Sequence, residues 1–169
     1  TGAHCEGGLL SALFFLIVAD IRQSLPDTIT EADRQYFFPS RYRDVPIDFG
    51  SPNFAFQREN VIRELFESLA SMSPVDLYIM LQRNYERYFH TQYAGMYAGY
   101  SLETLSTVAR AILHKNALIP LLQYILVECS LSGLPDLWMW TVHDTIHDVP
   151  AIRCVEVKAP NDSLSDTQR

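Results

Sequence analysis

The fold of this chain is decided by two short apolar stretches near its C-terminal end, LWMWTV at residues 137–142 and AIRCVEV at residues 151–157. Both are rich in β-branched and aromatic residues, which favour strands, and a polar loop joins them. A carboxylate accompanies each strand, since Asp136 stands before the first and Glu156 lies within the second. Glu156 and Lys158 are two residues apart, so they project from the same face of the second strand. The pattern therefore predicts two carboxylates and a lysine close together at strand ends.

Two carboxylates and a lysine at strand ends suit a metal-dependent phosphodiesterase. Asp136 and Glu156 offer the oxygen ligands that a hard divalent cation prefers, and Lys158 would orient or polarise the attacking water. The alternative is a pair of ordinary strands whose Glu156 and Lys158 are merely solvated, because so short a pattern also arises by chance.

The residues around this pattern extend it. GLPDL at residues 133–137 precedes the first strand, and EVKAPNDSLSDTQ at residues 156–168 follows from the second. Together they resemble the PD-(D/E)xK nuclease superfamily, and more closely the virus-type replication-repair nuclease (VRR-NUC) domain at the C-terminal end of the Fanconi-associated nucleases. The resemblance implies an α/β fold with a restriction-endonuclease-like core, a small mixed sheet and a large helical insertion. It also implies that the C-terminal helix and strand of the core are truncated at Arg169.

The resemblance implies further residues of the site. GAHCEGG at residues 2–8 is similar to a Gly-x-x-x-Glu-Gly string of the family, which stands before a hydrophobic helix and supplies a metal-binding glutamate, here Glu6. Taken alone, Glu6 would also be favourable beside the positive N-terminal end of that helix. Gln168 would be an auxiliary residue near the site, on a helix capped by Ser163. The predicted ligands of Mg²⁺ or Mn²⁺ are Glu6, Asp136, Glu156 and the backbone carbonyl of Val157, and the predicted catalytic residues are Asp136, Glu156 and Lys158.

Length and composition predict one globular domain over residues 1–169. Hydrophobic residues make up 48% of the 169 residues, which is enough for a core. The formal net charge of −7 is unusual for a chain that contacts DNA, because phosphate contacts usually come from a basic surface. An empty cation site is itself acidic, and the main DNA-binding surface can lie elsewhere in a longer protein. Both ends look like cuts through such a protein, so we expect the domain to be incomplete at both ends.

An apolar run and the cysteines indicate in which cellular compartment the protein is found. Residues 9–19 are almost unbroken apolar sequence, but a bilayer span takes about 20 residues, so a buried helix and no membrane contact are predicted. Cys5, Cys129 and Cys154 are widely spaced and form no Cys-x-x-Cys pair, which favours reduced thiols in a cytosolic or nuclear protein. With the resemblance, we expect the nucleus.

The middle of the chain, residues 26–132, is predicted to be the mostly helical insertion. Periodic apolar residues and caps predict helices at residues 28–38, 53–72, 74–90, 102–114 and 118–129. Proline and glycine predict an irregular connection at residues 38–52. Ser73 and Ser101 are the expected N-caps, and Pro74 suits a first helical turn.

Arg83 and Arg87 are the candidate DNA contacts. Their spacing puts both guanidiniums on one face of the predicted 74–90 helix, among several tyrosines that could stack on bases. The favoured alternative is a solvated helix face with tyrosines at the margin of the core, because Glu86 sits among the arginines.

A zinc site is the weaker metal hypothesis. His143 and His147 are spaced like a ligand pair on a helix, yet they lie in the loop between the two strands, where no helix is expected.

The resemblance implies a divalent-metal-dependent, structure-selective DNA nuclease. It would cut 5′ flaps as an endonuclease and act 5′ to 3′ as an exonuclease, in the nuclear repair of interstrand crosslinks. Its partners would be branched or 5′-flap DNA and, through other parts of a longer protein, repair-complex proteins. Two alternatives stay open: a junction resolvase or restriction-like nuclease of the same superfamily, and a non-catalytic helical interaction fragment.

Overall fold

The computed structural model describes residues 2–4, 8–39, 45–88, 99–128, 137–141 and 150–155. In this part the chain is mostly helical and carries one small sheet, in agreement with the predicted α/β class. The described helices include none that is both long and apolar enough to cross a membrane.

The sheet joins the two ends of the chain. Its three strands, in spatial order, are β1 (Gly2–His4), β2 (Leu137–Trp140) and β3 (Ile152–Val155). The predictions of β2 and β3 are confirmed, although both strands are shorter in the described residues than the apolar runs. β1 was not predicted, because a short Gly-Ala-His segment has little strand preference of its own. A mixed sheet was expected, but every pairing among the described strands is antiparallel.

The first long helix, α1 (Gly8–Ile17), is the centre of the core. All residues from 9 to 19 are buried, through the break at Val18 and into the short helix α2 (Ala19–Arg22). A helix that is apolar on every side must be covered on every side, which is why this one lies inside the domain. The predicted buried helix is therefore confirmed.

The described residues contain six further helices. They are α3 (Arg34–Phe37), α4 (Pro52–Phe56), α5 (Glu59–Ser71), α6 (Pro74–Tyr88), α7 (Leu102–His114) and α8 (Leu118–Glu128). Helices α6 and α7 pack against α1 and against each other, α8 packs on α4, α5 and α7, and α7 also contacts β3. The helix predicted at residues 28–38 is wrong in extent: a 3₁₀ turn over Glu31–Asp33 leads into the short α3.

The predicted helix boundaries at Ser73 and Ser101 are confirmed by their hydrogen bonds. Ser73 Oγ accepts from the Asp76 backbone N–H at 3.2 Å, and Asp76 Oδ2 accepts in return from the Ser73 N–H at 3.3 Å. This reciprocal pair is a capping box with Asp in the third position. Ser101 Oγ accepts from the Thr104 N–H at 3.1 Å. At the other end of α7, Asn116 has φ of 55°, a left-handed conformation that stops the helix.

Arg58 interrupts the helix predicted at residues 53–72. It lies between α4 and α5 with φ of −123°, and its side chain is 0% exposed. The guanidinium donates to both carboxylate oxygens of Asp48 at 2.7 and 3.2 Å. It also donates to the carbonyl oxygens of Ser24 at 3.1 Å and Phe54 at 3.3 Å. The prediction of one continuous helix is wrong, since Arg58 turns inward to these groups and its backbone leaves helical geometry.

We expect Arg58→Ala to lower the free energy of unfolding by about 3–5 kcal/mol, because it leaves the Asp48 carboxylate partly buried without its cation. Urea denaturation followed by circular dichroism measures the change. Arg63→Ala is the matched control: Arg63 lies on α5, 57% exposed and 4.0 Å from Glu67, so its loss costs under about 1 kcal/mol. Equal effects of the two substitutions would contradict the assignment of Arg58 as a structural anchor.

Candidate functional site

The register of the sheet brings three strand ends side by side. His4, the last residue of β1, pairs with Leu137, the first residue of β2. Leu137 pairs in turn with Val155, the last residue of β3. Because neighbouring strands lie about 4.7–4.9 Å apart, three chain segments meet at one edge of the sheet within about 10 Å.

The predicted site residues are close in sequence to these strand ends. Asp136 directly precedes β2, Glu156 directly follows β3, and Glu6 stands two residues after β1. All six residues predicted for the metal and catalytic site lie outside the described residues: Glu6, Asp136, Glu156, Val157, Lys158 and Gln168. His143 and His147 of the zinc hypothesis lie outside them too. Among the residues that are described, no three His, Cys, Asp or Glu side chains gather as a metal cluster.

The sheet has a buried and an exposed face. Trp138 and Trp140 alternate with Met139 along β2 and are 6% and 7% exposed, whereas Met139 is 37% exposed. Trp138 pairs with Cys154 on β3, so their side chains share a face. The indole Nε1 of Trp138 is buried and has no hydrogen-bond partner among the described residues.

Cys154 is a free, exposed cysteine, as predicted for a reduced thiol. Surrounding protein atoms nevertheless desolvate its sulfur in part, and this burial raises the pKa of the Cys154 thiol above its ordinary value. Cys5 and Cys129 lie outside the described residues.

The side chains of Arg83 and Arg87 form ion pairs with the carboxylate of Asp20 in α2. Arg83 Nη2 lies 2.9 Å from Asp20 Oδ2, and Arg87 Nη1 lies 3.2 Å from Asp20 Oδ1. The hydroxyl of Tyr88 donates to Asp20 Oδ1 at 2.7 Å. We call Asp20, Arg83, Arg87 and Tyr88 the Asp20 cluster. Both guanidiniums remain more than half exposed, at 59% and 63%, so a contact with DNA phosphates stays a prediction.

The Asp20 cluster alters the ionisation of Tyr88. Burial of the hydroxyl, followed by its hydrogen bond to Asp20 and the negative charge there, raises the pKa of Tyr88 from 10.0 to about 12. The charges of Arg87 and Arg22 act in the opposite direction and are weaker. The folded chain therefore keeps this proton at a pH where the unfolded chain releases it.

From this raised pKa we expect a loss of stability at high pH. Because the folded pKa lies above the unfolded one, the contribution is complete below pH 10 and falls as pH rises toward 12. The slope is about 1.4 kcal/mol per pH unit for one proton. Urea unfolding of the wild type and of Tyr88→Phe at pH 9, 10 and 11 measures it. Parallel pH profiles for the two proteins would contradict the raised pKa.

Asn84 is a structural residue that sequence reasoning missed. It is 1% exposed in α6, and its Nδ2 donates to the carbonyl oxygen of Leu16 at 3.0 Å. This bond satisfies a carbonyl near the end of α1. The signal was present in the sequence, since Asn84 occupies an apolar position between Leu81 and Tyr88 in the helical repeat. Such a buried amide needs a partner.

Comparison with known proteins settles the family. The model of the VRR-NUC domain matches residues 74–169, more than half of the chain. The chain belongs to the VRR-NUC domain family. It is 30% identical to a protein of Dictyostelium discoideum named Fanconi-associated nuclease 1 homolog, over 99% of this chain and 16% of the relative. A protein of the same name from Oryza sativa subsp. japonica is 25% identical, again over 99% of this chain and 16% of the relative. The chain thus spans about a sixth of the length of these relatives.

Proposed function

We propose that this chain is a nuclease domain that hydrolyses phosphodiester bonds of DNA with the help of Mg²⁺ or Mn²⁺. The observation that carries the proposal is the register of His4, Leu137 and Val155, which gathers three carboxylate-bearing segments at one edge of the sheet. Membership of the VRR-NUC family supports the same function.

Covalent geometry limits how far apart the proposed ligands can be. Consecutive Cα atoms are about 3.8 Å apart, and paired Cα atoms of antiparallel strands are about 4.5–5.5 Å apart. Asp136 and Glu156 directly adjoin the paired residues Leu137 and Val155 in the sequence, and Glu6 is two residues from His4, which pairs with Leu137. These short links support the proposal that the three carboxylates share one cation.

The donor set fits a hard cation. The three carboxylates and the Val157 carbonyl are all oxygen donors, the type that Mg²⁺ and Mn²⁺ prefer over the nitrogen and sulfur that suit zinc. When bound, the cation would neutralise the scissile phosphate and lower the pKa of a water.

The proposed residues have different roles in the reaction. Glu6, Asp136, Glu156 and the carbonyl of Val157 would hold the cation. The ammonium of Lys158 would orient the attacking water and stabilise the charge that develops on the phosphate oxygens. Gln168 would assist in orienting groups at the site.

The finer substrate assignment follows the resemblance of the sequence to the Fanconi-associated nucleases. On that resemblance we propose 5′-flap endonuclease and 5′ to 3′ exonuclease activity, in nuclear repair of interstrand crosslinks, and two relatives carry the name Fanconi-associated nuclease 1 homolog. Recognition of branched DNA and of repair proteins would draw on parts of a longer protein, because this chain matches only 16% of each relative and has a net charge of −7.

Lys158→Ala tests the catalytic proposal. It should abolish Mn²⁺-dependent cleavage of a labelled 5′-flap DNA, lowering the rate by about 100-fold or more, because the charge on the phosphate loses its stabilising partner. Lys115→Ala is the matched control, since it removes the only other lysine, an exposed residue at the end of α7. Cleavage by the whole chain and by an extended protein is followed on gels with and without EDTA.

The same assay separates the alternatives. Faster cleavage of four-way junctions or linear duplex than of flaps would favour a junction resolvase or restriction-like nuclease. Unchanged cleavage by Lys158→Ala would contradict the site. No metal-dependent cleavage of any DNA by the extended protein would favour the interaction fragment. In that case the groove of about 470 Å³ between α1, α2, α5 and α6, with Leu65, Met72 and Ile79 among its lining residues, is the surface we would test for partner binding.

We also propose that Arg83 and Arg87 contact the DNA backbone. Their exposed N–H groups can bind phosphate while Asp20 holds them in place. Arg83→Ala and Arg87→Ala should each weaken binding of 5′-flap DNA and reduce the slope of log affinity against log salt by about one. Fluorescence anisotropy from 50 to 200 mM NaCl measures this, with Arg63→Ala as control. Wild-type salt slopes in both variants would show that the arginines serve only the Asp20 cluster.

A further inference from the structure

We propose that Asn84 is a positioning residue for DNA binding, because its buried amide holds the guanidinium of Arg83 in place for contact with a backbone phosphate. The inference rests on the proposed contact between Arg83 and DNA. It extends that contact to a buried side chain that acts only through the arginine.

The amide of Asn84 is fixed by the core. Asn84 is 1% exposed, and its Nδ2 donates at 3.0 Å to the carbonyl oxygen of Leu16 on the buried helix α1. A carbonyl oxygen can only accept, so this bond defines which end of the amide carries the nitrogen. The other end, Oδ1, therefore remains available as an acceptor.

This acceptor binds one edge of the Arg83 guanidinium. Nε and Nη2 of Arg83 both donate to Asn84 Oδ1, at 3.2 and 3.1 Å. Nη2 also donates to Asp20 Oδ2 at 2.9 Å. Two acceptors on different helices therefore restrain the plane of the guanidinium, although the side chain of Arg83 is 59% exposed.

The restraint leaves part of the guanidinium open to a ligand. Of the five N–H groups of an arginine, the one on Nε and the two on Nη2 donate to Asn84 and Asp20. The two on Nη1 have no partner in the part of the chain that the structure describes. A phosphate oxygen can accept from Nη1 without breaking the bonds to Asn84.

The charges around Arg83 favour an anion as this ligand. Arg83 and Arg87 share the single carboxylate of Asp20, which leaves one positive charge of this group unbalanced. Glu86 stands between the two arginines in the sequence, but it accepts from Gln82 at 2.9 Å and forms no ion pair with a described residue. The guanidiniums thus carry more positive charge than Asp20 balances, which suits a phosphate.

A guanidinium that is restrained before DNA arrives loses less entropy on binding. Ordering one flexible side chain at an interface reduces affinity by about 2- to 10-fold. With Asn84 in place, part of this entropy is already lost when the chain folds. Removal of the Asn84 amide changes no charge, so it should weaken DNA binding without altering its salt dependence.

A double-mutant cycle tests the inference. Fluorescence anisotropy from 50 to 200 mM NaCl measures binding of labelled 5′-flap DNA by the whole chain, Asn84→Ala, Arg83→Ala and the double variant. We expect Asn84→Ala to weaken binding by about 2- to 10-fold with an unchanged salt slope. In the Arg83→Ala background the same substitution should have no effect, because the group that Asn84 positions is gone.

Leu77→Ala is the matched control for stability. Leu77 is fully buried in α6, two helical turns before Asn84, and has no polar group. Its loss destabilises the same helix without removing a hydrogen bond to Arg83. A loss of DNA affinity in Leu77→Ala as large as that in Asn84→Ala would overturn the inference.

A second measurement does not need Asn84→Ala to fold. The Nε–H group of Arg83 gives a cross-peak in a ¹⁵N–¹H spectrum of arginine side chains, identified by its loss in Arg83→Ala. We expect a higher order parameter for this group than for the Nε–H group of Arg63. Arg63 is the control because it is 57% exposed and its Nε is 4.0 Å from Glu67, beyond hydrogen-bond distance.

The outcomes separate this inference from the proposals on which it rests. Equal losses of affinity from Asn84→Ala in both backgrounds, wild-type affinity in Asn84→Ala, or equal order parameters for Arg83 and Arg63 overturn the role of Asn84 alone. Wild-type affinity and salt slope in Arg83→Ala overturn both the DNA contact and the role of Asn84. The metal-site proposal is tested separately, by Lys158→Ala.

Discussion

The burial of α1 is the constraint on which the rest of the structure depends. Its residues are apolar on every side, and residues 9–19 are all buried, so no orientation on the surface would satisfy them. Helices α6 and α7 cover it, and α7 in turn reaches β3. Because β1 precedes α1 by only a few residues, the same burial brings the start of the chain to the edge of β2. The position of the sheet is therefore linked to the burial of α1.

Polar side chains beyond the apolar core also stabilise the fold, and the extent to which each is buried decides how much it contributes. Asn84 satisfies the carbonyl of Leu16 inside the core, and the Asp20 cluster ties the following turn to α6. The arginines of that cluster are more than half exposed, so solvent screens their ion pairs and each contributes little. Arg58 is fully buried, and its pairing with Asp48 matters far more. The exposed side chains of Arg83 and Arg87 can therefore also bind a ligand, whereas the buried side chain of Arg58 serves to stabilise the fold.

The position of the candidate site follows from the antiparallel pairing of the strands. Antiparallel register lines up the end of one strand with the start of the next, so groups distant in sequence meet at one edge. In this chain that edge joins the ends of β1 and β3 to the start of β2, and the proposed ligands Glu6, Asp136 and Glu156 are one or two residues away from it in the sequence. Three carboxylates that shared a site would repel each other without a cation, which is the physical reason for proposing metal-dependent chemistry there.

The sequence by itself determined the features whose signals are local. The caps at Ser73 and Ser101, helix α7 and the strands β2 and β3 depend on residues within one or two turns, and they agree with the structure. The residues of the proposed metal site are inferred from a motif alone, and their roles and geometry remain predictions.

Tertiary structure alone decided the features with distant partners. β1 exists because β2 supplies its hydrogen bonds, and the helix breaks at Arg58 because Asp48 and Ser24 supply acceptors there. The donor of Trp138 is buried by packing that no window of sequence contains. Local preferences are small energies set by nearest neighbours, whereas pairing and burial depend on which distant segments the packed chain brings together.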